Sequence, residues 1–311
     1  MEPTLPVSPE DAIAHLADSS EPLLNAGLAE LTGLNQTELE LLKSSWATIE
    51  PERRRQIVRR LVELAEDNLE LNFDAIFKYC LKDQDEEVRT QAIEGLWENE
   101  EPSRIEPLIS LLERDSSEKV QSAAALALGK FALLAEHDKL RSSYKNKLQQ
   151  VLLASFNDKS KSIEVRRRSL EAAAPLSLPE VKQAITKAYH GSDAKLRISS
   201  VYSMGKSCDT TWLPALLKEL TSPDAEIRYE AAGALGELEE ETAVSGLTNL
   251  VNDSDVDVRM AAVQALGKIG TTHARACLKQ CLESNNEAVR QTAEQALSEL
   301  AASEDPLSFK L

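Results

Sequence analysis

Cysteine is scarce: Cys80, Cys208, Cys277 and Cys281 are the only four in 311 residues. That density excludes a small disulfide scaffold and is the usage expected of reduced cytosolic thiols. Aromatic residues make up 4%, and the four histidines are His15, His137, His190 and His273. None of these is followed by Glu, and there is no HExxH, P-loop, GxSxG or GxGxxG, so zinc hydrolase, nucleotide and serine-hydrolase chemistry lack their spacing. Glycine (11) and proline (12) are too few for a collagen-like or low-complexity chain. No apolar run approaches the ~18 residues of a membrane span. The start, MEPTLPVSPEDAIAHL, lacks the basic and apolar regions of a secretory signal, and the end, DPLSFKL, lacks a lipidation box. The expectation is a soluble, cytoplasmic protein. Positive charge is also short: 35 Lys and Arg face 52 Asp and Glu, net -17. That argues against nucleic acid as a partner of the whole surface, because phosphate binding needs clustered Lys and Arg.

What is present is a repeat. Four segments align without gaps: DAKLRISSVYSMGK from Asp193, DAEIRYEAAGALGEL from Asp224, DVDVRMAAVQALGKI from Asp255 and NEAVRQTAEQALSEL from Asn286. Their marker arginines, Arg197, Arg228, Arg259 and Arg290, are 31 residues apart. Upstream, Asp85 and Arg89 open a similar segment, and Gln121 and Arg166 occupy the marker position in two more. The interval from Gln121 to Arg166 is 45 residues, so it carries about 14 extra. Arg54 and Leu24 mark two degenerate units, giving nine in all. Residues 1–80 are then degenerate repeats, 81–300 clear repeats with an insertion near 135–162, and 301–311 a tail.

Each unit reads as two helices. Around Arg228 the apolar positions are Ile227, Ala232, Leu235 and Leu238, a helical period and not the alternation of a strand. Asp193, Asp224 and Asp255 stand where an N-cap belongs, accepting bonds from orphan N–H groups and suiting the positive helix end. The arginine four residues on is expected to pair with an Asp of its own or the adjacent unit. Asp85, Arg89, Asp193, Arg197, Asp224, Arg228, Asp255, Arg259 and Arg290 then form a structural ladder. The competing reading makes the arginines an anion-binding row. Gly236 and Gly267 are expected near helix ends, where positive φ is useful. A helix pair of this size cannot bury its apolar face alone, and stacking nine makes a continuous core.

The D-x-x-VR-x-x-A-x-x-ALG pattern from Asp255 resembles HEAT repeats, specifically the short HEAT-like type of phycobilisome (bilin) lyase proteins. The resemblance is strong over about residues 80–300. It implies an all-α fold, a single right-handed α-solenoid, and says little about function. Within such folds, deoxyhypusine hydroxylase holds di-iron with His-Glu pairs, which this sequence lacks. Alkylpurine DNA glycosylases use a basic face with aromatic and Asp residues, which its charge and few aromatics disfavour. A bilin-lyase-like activity is the enzymatic alternative, although no residue here must carry bilin chemistry.

The best metal constellation is His273, Cys277 and Cys281 on one helical stripe. Three positions along one helix rise ~12 Å and cannot share one ion; small packing residues are the expectation, with no metal and no cofactor. Charge is uneven: residues 139–168 hold nine bases and two acids. Lys145, Lys147, Lys159, Lys161, Arg167 and Arg168 make this stretch a candidate docking site for an acidic protein, or for nucleic acid as a further alternative, with Tyr144 and Phe156 available for stacking. The bland alternative is a longer first helix with a solvated basic face. A second group, Arg53, Arg54, Arg55, Arg59 and Arg60, is expected to pair with Glu50, Glu52 and Glu63. Exposed positions of the second helices should line the inner curve. Tyr202 and Tyr229 are the candidate anchors there, and Trp97, standing where other units carry glycine, is expected to be buried. The run Glu237–Glu241 is expected in a solvated turn. The expectation is a non-catalytic protein-binding scaffold or assembly factor, not an enzyme.

Overall fold

The computed structural model describes residues 8–18 and 20–304. Residues 1–7 of the degenerate N-terminal segment and 305–311 of the expected tail lie outside the described residues; 301–304 continue the last helix. Among the described residues there is no strand, and eighteen α-helices form nine consecutive pairs. The first pairs are α1 (Pro9–Leu16) with α2 (Asn25–Ala29), α3 (Gln36–Trp46) with α4 (Pro51–Asp67), and α5 (Asp74–Cys80) with α6 (Glu86–Gly95). Next come α7 (Ile105–Arg114) with α8 (Glu118–Glu136), and α9 (Ser142–Asn157) with α10 (Ile163–Ala173). Then follow α11 (Pro179–Tyr189) with α12 (Ala194–Lys206), and α13 (Leu213–Glu219) with α14 (Ala225–Leu238). The last pairs are α15 (Val244–Leu250) with α16 (Val256–Ile269), and α17 (Thr272–Cys281) with α18 (Glu287–Glu304). This is the α-solenoid arrangement, with one pair per sequence unit.

The chain divides into two compact units, one ending at Phe131 and the other beginning at Ala132. In the first, α1 packs on α3, α2 on α4, and α4 and α5 on α6. Trp46, Ile57, Leu61, Phe73 and Phe77 are fully buried in its core. In the second, α10, α12, α14, α16 and α18 pack side by side in order, each also holding its own first helix. The extra residues near 135–162 lengthen two helices, not one. α8 has 19 residues against 13 in α12 and 14 in α14, and α9 has 16 against seven in α13 and α15.

The second helices start where their caps stand. Asp85 accepts from the N–H of Glu87 and Val88, Asp193 from Leu196, Asp224 from Glu226, and Asp255 from Asp257 and Val258. The marker arginines do something other than pair with caps. Arg228 Nη1 donates to the Ser222 carbonyl at 2.8 Å, and Arg259 Nη1 to the Asp253 carbonyl at 2.7 Å. Arg89 and Arg290 likewise bond the carbonyl six residues back, at Asp83 and Ser284. Gln121, standing in for arginine, bonds the Asp115 carbonyl the same way. These five markers thus tie the turn inside their own pair, satisfying a carbonyl just past the first helix.

The ion pairs run to the next unit, but to an acid two residues before its cap. Arg228 meets Asp253 at 2.8 Å, Arg89 meets Asp115 at 2.7 Å, and the degenerate Arg54 meets Asp83 at 3.1 Å. An Asp of the adjacent unit thus receives Arg89 and Arg228, as expected, but it is not the cap: the carboxylates of Asp193, Asp224 and Asp255 are turned to their own helix N–H groups. Arg197 pairs instead with Glu219, because Ser222 replaces the acid two residues before the next cap; Arg290, in the last unit, pairs with Glu287 of its own helix. Among the described residues, Asp85 is the cap aspartate that takes an arginine, Arg55, at 2.6 Å. Of the remaining N-terminal arginines, Arg60 pairs with Glu63 as expected, whereas Arg53 is buried against the carbonyls of Leu16, Asp18 and Glu21.

Gly236 and Gly267 lie inside helices; the left-handed residues at these helix ends are Glu239 (φ 53°) and Gly270 (φ 61°), each three positions later. The glycines are needed for approach instead. A Cβ on Gly205 would fall 2.5 Å from Ala234 Cα, on Gly236 2.9 Å from Ala265 Cα, and on Gly267 2.8 Å from Ala296 Cβ. A residue with no side chain meets one with a single methyl, so these second helices touch backbone to backbone. Trp97 is exposed at 46% and not buried, because α6 ends at Gly95 and position 97 falls in the following turn.

Candidate interaction site on the second helices

Within residues 132–311, the close second-helix row sets polar side chains of successive helices against one another. On α10, Arg167 Nε donates to Ser199 Oγ of α12 at 2.9 Å, and Ser199 donates to Glu171. Arg167 and Arg168 both pair with Glu164 and Glu171. On α12, Lys206 lies 5.6 Å from the Tyr202 ring centroid and pairs with Glu237 of α14 at 2.8 Å. Glu237 also takes Lys268 of α16 at 2.9 Å. The strip crosses four helices, and hydrogen bonds hold most of its side chains in place before any partner arrives.

Electrostatics along the strip are unequal. Glu230, on α14, is largely withdrawn from water and its carboxyl is pushed up to about 7. Burial is the main cause, with repulsion from Glu171 and Glu226, opposed by Arg167 and Lys206. Glu237 is held below the usual carboxylate range by its two lysines in spite of burial. Lys206 is raised by Glu237 against the same burial. The face can therefore offer a neutral carboxyl, a paired carboxylate and an aromatic ring within a few helical turns.

The sequence candidates fall unevenly on this surface. Tyr202 is half-buried on the strip, and Tyr229 is exposed at 43% beside Glu230. No ring contact joins these two tyrosines among the described residues. Arg167 and Arg168 are neutralised by Glu164 and Glu171. Lys145 pairs with Glu136 at 2.8 Å. Lys147 and Lys161 are half-buried and Lys159 is exposed. Phe156 is 2% exposed, so it packs and is not open for stacking.

Reasoning along single units missed Glu171, Glu230, Lys206, Glu237 and Lys268. The signal was in the columns of the repeat. Nine residues after each marker stand Lys206, Glu237 and Lys268, alternating in sign from unit to unit. Glu237 therefore belongs to a helix and an ion-paired column, not to a solvated turn.

No group of three or more His, Cys, Asp or Glu among the described residues is arranged to hold a metal ion. Cys277 and Cys281 are buried next to each other on α17. A bond from Cys281 lowers the Cys277 thiol, and the same bond and burial raise Cys281. Burial likewise pushes the Cys80 thiol up. No helix among the described residues is long and apolar enough to cross a membrane.

Comparison with known proteins places this geometry. No curated protein matches the sequence. Among solved structures, the complex of CpcE and CpcF of phycocyanin lyase from Nostoc sp. PCC7120 is similar at 17% identity and TM-score 0.51, covering 73% of this chain and 94% of that one. The YibA protein of Escherichia coli matches at 15% identity and TM-score 0.45, covering 81% and 98%. Human deoxyhypusine hydroxylase matches at 16% identity and TM-score 0.35, covering 94% and 96%. The first likeness is one of fold. The HEAT-repeat profile matches residues 73–156 and 213–298, more than half of the chain, and the chain belongs to the HEAT-repeat family.

Proposed function

We propose that this chain is a non-catalytic, cytoplasmic protein-binding scaffold or assembly factor whose docking face is the second-helix row of residues 132–304. The strip of Arg167, Glu171, Lys206, Glu237 and Lys268 carries this reading. Its side chains are already ordered by neighbours, so a partner costs them little conformational entropy. Tyr229 adds an exposed amphipathic ring of the kind that anchors interfaces. Lys145 and Lys147 on α9, with Lys159 and Lys161 in the turn after it, offer a separate basic segment to an acidic partner. Nucleic acid fits less well, since acids accompany most bases on the face.

The test is a quantitative pull-down with crosslinking from native lysate, comparing three proteins. One is wild type, one carries Tyr229→Ser with Lys268→Glu, and one carries Lys145→Glu, Lys147→Glu, Lys159→Glu and Lys161→Glu. A defined protein retained by wild type and lost by the first variant supports the strip. Loss with the lysine variant alone moves docking to the basic segment. Retention by both variants, with crosslinks elsewhere, overturns the reading.

A second reading, a bilin-lyase-like enzyme or lyase subunit, draws on the fold likeness to the CpcE–CpcF complex. Co-expression with a bilin-binding protein and a bilin separates the two. A covalent chromophore, seen as visible absorbance surviving denaturation, would establish the lyase reading; a scaffold leaves none.

A further inference from the structure

Within residues 8–131, a groove of about 900 Å³ opens between the end of α4, the turn into α5 and the end of α6. Its floor is apolar. Phe73 and Phe77 are 2% and 1% exposed and meet edge to face, with centroids 6.3 Å apart. Gly95 makes room for this floor: a Cβ there would fall 2.5 Å from the Phe77 ring. The lips are apolar too, and they face water. Leu69 is 89% exposed and Trp97 46%. Two large apolar side chains standing open on either side of a concave apolar floor are uncommon on a lone surface and characteristic of one that is covered.

The rim is acidic, and the lining includes no basic residue. Asp74 is paired with Arg104, Glu101 with Lys78, and Glu100 with Lys130, which lies 5.9 Å from the Trp97 ring centroid. Glu66, Glu94 and Glu98 line the groove with no ion pair among the described residues. The Glu94 carboxyl, at the surface but partly desolvated by the groove walls, is raised, first by that desolvation and then by repulsion from Glu87 and Glu66, with Lys119 opposing. Excess negative charge around an apolar floor defines the complement: apolar side chains with cationic heads beside them.

We propose that this groove seats a cationic amphipathic segment of a protein partner, its apolar side chains on Phe73 and Phe77 between Leu69 and Trp97, its Lys or Arg heads on Glu66, Glu94 and Glu98. Such a segment satisfies both features at once, as an amphipathic helix does in a hydrophobic groove. The aliphatic stems of Lys and Arg also lie well along apolar lips while their heads reach the carboxylates. The surface shares no residue with the strip on α10–α16, so it stands whether or not that strip binds.

The probe is a fluorescein-labelled peptide of leucine and lysine, about 18 residues or five helical turns long. Binding to the full chain is followed by anisotropy. Leu69→Ser with Trp97→Ser should weaken it about tenfold or more, as loss of central anchors does. Glu66→Lys with Glu94→Lys and Glu98→Lys should weaken it at least as much. Two controls guard against bulk attraction to an acidic protein. Glu113→Lys with Glu283→Lys and Glu294→Lys makes the same charge change at exposed positions elsewhere and should leave affinity within about twofold. A serine–lysine peptide of equal charge should bind about tenfold more weakly, since it lacks the apolar anchors. Equal loss in the two charge variants, equal binding of the two peptides, or no effect of the serine pair would each overturn the proposal. All the substituted positions are exposed, and circular dichroism verifies the fold.

Discussion

At the residue scale, Arg89 and Arg228 are clasps with two hands. One holds a carbonyl of its own turn, and the other reaches an acid of the next unit. Removing Arg228 leaves Asp253, with a side chain 8% exposed, without its countercharge. Arg228→Ala should therefore destabilise the fold by about 2 kcal/mol or more, less than for a fully buried pair. Asp224→Ala, losing one cap bond, should cost about 1 kcal/mol. Urea denaturation measures both. Asp253 is held below its ordinary value by Arg228; that contribution is complete above the unfolded carboxylate range and fades as pH falls through it. Glu230 works with the opposite sign. Its folded value of about 7 lies above the ordinary glutamate value of 4.5. The folded state therefore binds more protons between those values, and its stability falls as pH rises through that window. Glu230→Gln should raise stability at pH 8 by on the order of 1 kcal/mol, allowing for solvent screening, and change little at pH 4. An equal effect at both pH values would show that repulsion and burial are not the cause.

At the scale of the element, two glycines of similar sequence context separate packing from propensity. Gly205 lies against Ala234 on the adjacent helix, whereas a Cβ on Gly233 meets nothing within 4 Å. Alanine favours a helix over glycine by about 1 kcal/mol. Gly233→Ala should therefore stabilise by about 0.5–1 kcal/mol. Gly205→Ala carries the same propensity gain but must push two backbones apart, and should destabilise by about 1–3 kcal/mol. Paired chemical denaturation curves decide this, and a stabilising Gly205→Ala would show that the row is looser than its geometry.

At the scale of the whole molecule, a stack of pairs is held by nearest-neighbour contacts, so its unfolding need not be a single step. Gly205→Ala should lower hydrogen-exchange protection first in α12 and α14. The helices of residues 8–131 should keep theirs. Loss of protection at the same rate everywhere would instead show one cooperative unit.

Much of this protein was legible in one sequence, because a repeat states its pattern several times. The marker spacing, the cap aspartates and the helical period of Ile227, Ala232, Leu235 and Leu238 set nine helix pairs, since each is a local cause acting within one turn or one pair. The partners of the arginines were not legible. Asp253 and Asp224 are both near Arg228 in the repeat, and only the offset of one pair upon the next decided that Asp253 receives it. The same offset turned Lys206, Glu237 and Lys268 into one column and brought Glu171 within reach of Ser199. The groove over Phe73 and Phe77 depended on α6 ending at Gly95, which released Trp97 from the packed glycine position into water. Local chemistry chose the elements; the distances between side chains of different elements, which sequence spacing does not encode, chose the surfaces.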